Sequence, residues 1–148
     1  MDTEFIQQRR VEFAETDMAG IVHFANFFRW MESTEHAFLR SLGHSVHTKT
    51  EALSTGWPRI KVSCDYSKPL HFEESVEIAL RVTEVRTRSV RYSFTIRRSA
   101  DGEVAAQGET VAVHAVLDTA GGRLQAAPIP EELRAQLLAR LVPAPNHD

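Results

Sequence analysis

A short segment near the N-terminus combines residue types that suit the chemistry of acyl groups. It reads AETDMAGIVHF and places Asp17 and His23 directly before a long run of apolar residues at helical spacing. Hydrolysis of an activated acyl group needs a group that attacks the carbonyl or activates water to do so, and donors for the oxyanion that forms. Asp17 supplies a carboxylate for the first task. If a helix begins near Phe24, the main-chain N–H groups of His23, Phe24 and Ala25 have no helical partner and supply the donors.

Local rules also offer simpler roles for the same side chains. Asp17 suits an Asx-turn in a loop, although it lies too far before the helical run to be the N-cap. Gly20 allows the chain to turn tightly between the carboxylate and the donors. His23 either orients the site or donates to a carbonyl, or it is a partly buried residue that packs the helix start. The residues alone leave these alternatives open.

Composition narrows the class of protein. The chain has 148 residues, with 43% hydrophobic and 25% charged residues, which is typical of one globular domain. The net charge of −3 gives no reason to expect nucleic-acid binding. Cys64 is the only cysteine, so no internal disulfide is expected. His44 and His47 form the only close histidine pair and lack a zinc-site pattern, so we expect no metal. Without an apolar leader or a membrane-length apolar run, a soluble cytoplasmic protein is expected.

The periodicity of the remaining chain predicts an α+β fold. A first strand is expected within residues 5–13, followed by a helix over residues 25–42 with Gly43 as its C-cap. Four period-two runs then indicate a largely antiparallel sheet with one covered face. ADGE predicts a type I′ hairpin turn, and PIPEELRAQLLARL a short C-terminal helix that begins near Pro130. The alternating apolar residues are Ile60, Val62, Cys64 and Tyr66; Val76, Ile78, Leu80 and Val82; Val90, Tyr92, Phe94 and Ile96; and Val111, Val113, Ala115 and Leu117.

One long helix and five strands predict a specific arrangement. A single curved sheet can wrap around the helix, which is the hotdog fold, and a free edge or face would favour pairing with a second copy. We therefore expect one domain over residues 1–148, with residues 143–148 as a flexible tail.

The sequence also resembles a known family. VEFAETDMAGIVHFANFFRWMESTEHAFLRSLG is similar to the opening segment of the 4-hydroxybenzoyl-CoA-thioesterase-like hotdog proteins, and GWPRIKVSCDYSKPLHFEESVEI and APIPEEL resemble later segments more weakly. The resemblance implies an acyl-CoA thioesterase with Asp17 as nucleophile or general base and the main-chain N–H of Phe24 as carbonyl donor. It implies an acyl-CoA or acyl-carrier-protein thioester as substrate, no cofactor besides the coenzyme A of the substrate, and a homodimer or homotetramer. Relatives vary near His23, which favours a supporting role for that ring.

Two residues at the helix are further candidates for contact with substrate. Asn26 either contacts substrate or holds the loop to the helix start through side-chain hydrogen bonds. Glu32 either binds a polar group of the acyl part or forms a salt bridge with Arg29 or His36. Glu15, which precedes the Thr-Asp pair, is expected to face solvent or to pair locally.

Two later segments supply the remaining candidates. Trp57 and Pro58 directly precede a strand and are candidates for the wall of an acyl pocket. RTRSVRYSFTIRR carries five arginines in an acidic chain, either as a solvated strand face or as a dock for coenzyme A phosphates. Arg86 and Arg88 lie at a turn between strands and are the preferred pair for that dock.

Two competing functions remain at this point. A hotdog hydratase would pair a carboxylate with a histidine, but the chain lacks the Gly-Asp-x-Asn-Pro-x-His pattern of the hydratases. A non-catalytic acyl-binding module or ligand sensor would keep the pocket without the reaction, and sensors of this fold usually carry a DNA-binding helix pair, for which the N-terminus leaves no room.

Overall fold

The long helix lies against a five-stranded sheet in this computed structural model, which describes residues 3–118 and 120–143. The main sheet is antiparallel with strand order β1-β5-β6-β7-β4. The helices are α1 (Ala25–Ser41) and α2 (Glu131–Leu138), and the strands are β1 (Phe5–Arg10), β2 (Thr48–Lys49), β3 (Leu53–Gly56), β4 (Arg59–Tyr66), β5 (Ser75–Val85), β6 (Ser89–Arg98), β7 (Val104–Val113), β8 (Ala115–Asp118) and β9 (Leu124–Ala126).

The apolar face of α1 packs across the strands of this sheet, as the periodicity predicts. The Phe38 ring lies 5.6 Å from Phe5 of β1 and 6.0 Å from Tyr92 of β6, centroid to centroid. Met31 is fully buried, and its Sδ occupies the space that a side chain at Gly108 of β7 would fill. A helix buried against strands from one edge of the sheet to the other confirms the predicted hotdog arrangement. The predicted short C-terminal helix is confirmed as α2, with Pro130 as its N-cap.

The helix ends as the sequence predicts. Gly43 has a φ of +88°, the left-handed conformation that glycine adopts without strain. Its N–H donates to the Arg40 carbonyl at 3.0 Å, and the His44 N–H donates to the Leu39 carbonyl at 2.9 Å. These two bonds form a Schellman motif, which satisfies carbonyls that the last turn would leave unpaired.

Two predicted details are wrong for local reasons. The first strand ends at Arg10 instead of continuing to residue 13, because a capping box between Glu12 and Glu15 turns the chain into a 3₁₀ helix. The hairpin at ADGE is confirmed, but its turn is not type I′. That turn needs a positive φ at both central residues, and of the Asp-Gly pair only Gly102 has one. The Asp101 carboxylate instead accepts the Glu103 N–H at 3.0 Å within a longer loop.

A second sheet was not predicted from the sequence. It has four strands in the order β2-β3-β8-β9. These strands have two to four residues each, which is too short for period-two alternation to identify them as separate strands. The predicted run from Val111 to Leu117 is therefore not one strand: it divides at His114, with Val111 and Val113 in β7 and Ala115 and Leu117 in β8 of the second sheet.

The face of the main sheet that was expected to be covered is partly exposed along the edge strand β4. Ile60, Val62 and Tyr66 of β4 remain 67%, 50% and 45% exposed. The strand pairs only with β7, so its other side has no neighbour within the described chain. Of the tail predicted to be flexible, residues 144–148 lie outside the described residues.

Candidate active site

The loop that carries Asp17 is a tight turn stabilised by its own backbone. The Gly20 N–H donates to the Asp17 carbonyl at 3.0 Å, and the Asp17 N–H donates to the Ile21 carbonyl at 2.8 Å. Gly20 has a φ of +81°, so a glycine is needed at this turn. Asp17 Oδ1 accepts the Ala19 N–H at 2.8 Å, which makes the expected Asx-turn. The side chain is exposed, and no residue of the described chain donates to Oδ2, so one carboxylate oxygen remains available.

The start of α1 retains a single uncommitted donor. The His23 N–H donates to the Glu15 carbonyl at 2.9 Å, and the Ala25 N–H donates to His23 Nδ1 at 3.2 Å. Of the three main-chain donors expected from the sequence, only the Phe24 N–H finds no acceptor among residues 3–118 and 120–143. It lies at the positive end of the helix dipole.

The His23 ring supports the helix start. Because Nδ1 accepts the Ala25 N–H, we assign its proton to Nε2. The ring stacks on that of Phe24 with centroids 4.6 Å apart. These contacts fit the supporting role favoured from the sequence, whereas direct participation of the His23 ring in catalysis stays a prediction.

A cavity of about 520 Å³ joins the two features. Asp17 and Phe24 line it together with the rings of Phe27 and Tyr66, whose centroids are 5.0 Å apart. The Tyr66 hydroxyl donates to the Phe24 carbonyl at 3.0 Å. Desolvation raises the pKa of Tyr66 to about 12, so the hydroxyl keeps its proton at neutral pH. Asp17 and Phe24, the residue whose N–H is free, therefore line one cavity with aromatic walls.

Comparison with known proteins identifies the family. A model of the thioesterase-like superfamily matches residues 11–137, which include this turn, the helix and the whole main sheet after β1. The chain belongs to the thioesterase-like superfamily.

Its relatives hydrolyse thioesters according to their names. A 1,4-dihydroxy-2-naphthoyl-CoA hydrolase of Prochlorococcus marinus (strain NATL1A) is 28% identical over 100 residues, 63% of this chain and 67% of that protein. The 4-hydroxybenzoyl-CoA thioesterase of Pseudomonas sp. (strain CBS-3) is 24% identical over 137 residues, 89% of this chain and 96% of that protein. The solved structure of a gentisyl-coenzyme A thioesterase matches with a TM-score of 0.72 and 27% identity, over 87% of this chain and 98% of that chain. Thioester hydrolysis is therefore the class of reaction of this chain, and its fold is that of the hotdog thioesterases.

Of the two roles predicted for Glu15, exposure to solvent is wrong and pairing with residues nearby in the chain is confirmed in part. Glu15 does not face solvent: it is 9% exposed and lies between strand β1 and helix α1. Its Oε2 accepts Arg9 Nη2 and Trp30 Nε1, each at 2.6 Å, and its Oε1 accepts the Glu12 N–H at 2.8 Å. The local sequence Ala-Glu-Thr-Asp does not indicate that Arg9 and Trp30 are partners of Glu15.

Asn26 holds the loop to the helix start, which is one of its two predicted roles. Its side-chain amide donates to the Glu15 carbonyl at 2.8 Å. Glu32 is exposed, one turn before the buried Glu35, and neither predicted salt bridge, to Arg29 or to His36, is present. Contact of Asn26 or Glu32 with substrate stays a prediction.

The structure does not bring Trp57 and Pro58 to the Asp17 cavity. The Trp57 ring packs edge-on against His114 at 5.1 Å, and the Pro58 carbonyl accepts the Val113 N–H. Both residues lie where β4 begins, whereas the cavity lies where β4 ends, at Tyr66. Within one chain, Trp57 and Pro58 therefore do not form part of the wall of the Asp17 cavity.

The two preferred arginines also lie at the far end of the sheet. Arg86 and Arg88 lie in the β5–β6 turn, where Ser89 pairs with Val113 of β7. Tyr66 at the cavity pairs with Ala106, near the other end of β7. Arg86 is paired with Glu84 and stays exposed. Within one chain these arginines are not beside the carboxylate, and their contact with coenzyme A stays a prediction.

The described residues contain neither a cluster suited to a metal ion nor a helix of membrane-spanning length. No group of three His, Cys, Asp or Glu residues in the described ranges is arranged to hold a metal ion. The described helices include none that is long and apolar enough to span a membrane.

Proposed function

We propose that the protein hydrolyses the thioester of an acyl-CoA, with Asp17 as the nucleophile or as the base that directs water, and the Phe24 N–H as the oxyanion donor. One observation carries this proposal: Phe24, whose N–H is left without an acceptor at the start of α1 within the described chain, lines the same cavity as Asp17. The other two donors of the helix start are occupied by protein groups.

The chemistry follows from this arrangement. The thioester carbonyl oxygen accepts the Phe24 N–H, and the helix dipole favours the negative charge that develops on that oxygen. Either Asp17 attacks the carbonyl carbon and water then hydrolyses the mixed anhydride that forms on its carboxylate, or Asp17 accepts a proton from the water that attacks. The carbon–sulfur bond breaks, coenzyme A leaves as its thiolate, and water supplies the hydroxyl of the free acid and the proton of the thiol. A thiolate is a good leaving group, so no strong general acid is needed.

An aromatic acyl group is the substrate class that the cavity favours. Phe24, Phe27 and Tyr66 present ring surfaces to an acyl group bound there, and aromatic rings stack on or edge against such surfaces. The names of the three relatives each specify a hydroxylated aromatic acyl-CoA. Hydroxyaroyl-CoA esters are therefore the first substrates to test, and a carrier-protein thioester is the alternative thiol donor.

A second copy of the chain is expected to cover the free edge at β4. Ile60, Val62 and Tyr66 expose apolar surface on an edge strand, whose free side is a template for pairing. We propose a homodimer formed at this edge, with the Asp17 cavity beside the interface through Tyr66. Size-exclusion chromatography with light scattering should give a dimer for the wild-type chain and a monomer for Val62→Lys. A monomeric wild-type chain would contradict the proposed dimer.

A thioester panel tests the proposed reaction. Purified protein is incubated with aroyl-CoA, short-chain and long-chain acyl-CoA esters, and released thiol is measured. Turnover of at least one aroyl-CoA above the rate with fatty acyl-CoAs is expected. Tight binding of acyl-CoA without release of thiol from any ester would favour the binding module instead.

A further inference from the structure

A buried carboxylate lies directly beneath the helix start that carries the free donor. Glu15 accepts three hydrogen bonds through its side chain, from Arg9 on β1, from the Glu12 N–H in the loop and from Trp30 on α1. These partners come from three different elements, so the carboxylate joins the sheet edge, the Asp17 loop and the helix at one point.

The main chain of the same residue holds the donor segment. The Glu15 carbonyl accepts the N–H of His23, the residue before Phe24, at 2.9 Å. It also accepts the side-chain amide of Asn26, in the first turn of α1, at 2.8 Å. The peptide that carries the free N–H is thus fixed on both sides by one carbonyl oxygen, and the position of that oxygen depends on where the Glu15 side chain is anchored.

Glu15 also fixes the spacing between the two proposed reactive groups. Only Thr16 separates it from Asp17, and Thr16 pairs with Val22 across the base of the Asp17 turn. A shift of Glu15 would therefore move the carboxylate loop and the helix start relative to each other. None of its side-chain contacts is with the cavity, so Glu15 would act through other residues and not on substrate directly.

We infer that Glu15, anchored by Arg9 and Trp30, is a positioning residue that holds the Phe24 N–H in place opposite Asp17. This inference rests on the proposed function, because it assigns the purpose of the positioning to the thioesterase reaction. Its alternative is a stabilising buried ion pair with no specific effect on the reaction.

The chain offers a matched control for that alternative. Glu35 is also buried on α1 and paired with one arginine, Arg59, at 2.7 Å. It makes no contact with the Asp17 turn, the helix start or the cavity. Glu35→Gln therefore makes the same chemical change in a comparable environment without touching the proposed reactive groups.

The experiment compares Glu15→Gln with Glu35→Gln in thioester hydrolysis and in amide hydrogen exchange. In Glu15→Gln a side-chain NH₂ replaces one of two acceptor oxygens, so that donors face each other, either at the Glu12 N–H or at Arg9 and Trp30. We expect kcat to fall about 10- to 100-fold, the order of loss that a shift of a catalytic group by about 1 Å causes. KM should stay close to the wild-type value, and the His23 amide should exchange faster. Glu35→Gln should keep the wild-type kcat and the wild-type exchange at His23.

Trp30→Phe is the second variant if Glu15→Gln does not fold. It removes one donor to Glu15 but keeps an aromatic ring in the core, and a smaller loss of kcat is expected. Equal losses of kcat in the Glu15 and Glu35 variants, or a wild-type kcat in both Glu15→Gln and Trp30→Phe, would overturn the inference.

Failure of the proposed thioesterase reaction can be distinguished from failure of the positioning role of Glu15. If the wild-type chain cleaves no thioester, the proposed reaction fails, and hydrogen exchange alone decides the positioning. Faster exchange at His23 in Glu15→Gln than in Glu35→Gln would still support a fixed helix start. Equal exchange in the two variants would overturn it.

Discussion

Two buried glutamates, one beneath α1 and one within it, are each paired with one arginine, and they differ in how the carboxylate is surrounded. Glu15 lies beneath the helix start, and Glu35 lies in the middle of the helix. The closest nitrogen–oxygen distances to Arg9 and Arg59 are nearly the same, at 2.6 and 2.7 Å. Their pKa values nevertheless move in opposite directions, below the ordinary value for Glu15 and above it for Glu35.

The number of donors explains this difference. Burial acts to raise the pKa of Glu15, but hydrogen bonds from the Glu12 N–H, Trp30 and Arg9 together outweigh it. Burial also raises the pKa of Glu35, and Arg59 offsets only part of the rise. Arg59 makes one well-aligned hydrogen bond, to Oε1, whereas Oε2 is buried without one. A buried carboxylate is thus well stabilised where the backbone and a second side chain also donate to it, as they do beside the candidate site.

Replacement of each arginine should give the largest difference in stability between the two ion pairs. Arg59→Ala leaves Glu35 buried without a counter-charge, so we expect a loss of about 3 to 5 kcal/mol in the free energy of unfolding. Arg9→Ala leaves Glu15 two other donors, and the Arg9 side chain is 33% exposed, so a loss of about 1 kcal/mol is expected. Urea denaturation at neutral pH measures both values. Equal losses would show that the extra donors to Glu15 do not compensate for the missing charge.

The pH dependence of stability should have opposite signs at the two sites. The pKa of Glu15 is lowered in the folded chain, so its contribution is present above the ordinary value of 4.5 and is lost as pH falls through the folded pKa. The pKa of Glu35 is raised, so its contribution is present below 4.5 and is lost as pH rises through the folded pKa. The stability of the wild-type chain relative to Glu15→Gln should therefore decrease on acidification. Relative to Glu35→Gln it should increase. Unfolding free energies measured across the acidic range test both signs, and slopes of the same sign would contradict the comparison.

An exposed ion pair should show the smallest effect on stability. Arg86 pairs with Glu84 on the surface, so Arg86→Ala with Arg88→Ala should change the unfolding free energy by less than about 1 kcal/mol. If Arg86 and Arg88 bind coenzyme A phosphates, the KM of this double variant for CoA esters should rise about tenfold, the equivalent of about 1.4 kcal/mol. KM for N-acetylcysteamine thioesters, which lack the phosphates, should not change. An equal rise for both substrate types would argue against a phosphate dock.

The sequence predicted what depends on local periodicity and failed where distant residues meet. Helix α1 and strands β4, β5 and β6 follow from the apolar spacing, β1 and β7 follow from it only in part, and the Gly43 cap follows from a single residue type. The role of Glu15 was missed because Arg9 and Trp30 lie 6 and 15 residues away and reach it only in the folded chain. Trp57 was assigned to the acyl pocket from its place before a strand, since periodicity does not reveal which end of the sheet holds the cavity.

The free donor at the helix start could be anticipated only in outline. The sequence indicated that N–H groups near residues 23–25 would lack helical partners. It did not indicate that the Glu15 carbonyl and the His23 ring would occupy two of the three. Within the described chain, one of the three expected donors, the Phe24 N–H, is therefore left free, on a residue that lines the same cavity as Asp17.

The central claim is that Asp17 performs the reaction, and Asp17→Asn tests it most directly. The amide keeps an oxygen that can accept the Ala19 N–H, so the Asx-turn and the fold should be retained. The value of kcat/KM for the best aroyl-CoA should fall at least about 100-fold, as is typical for loss of a catalytic base or nucleophile, while the unfolding free energy stays close to that of the wild-type chain. Wild-type turnover by a folded Asp17→Asn variant would contradict the account.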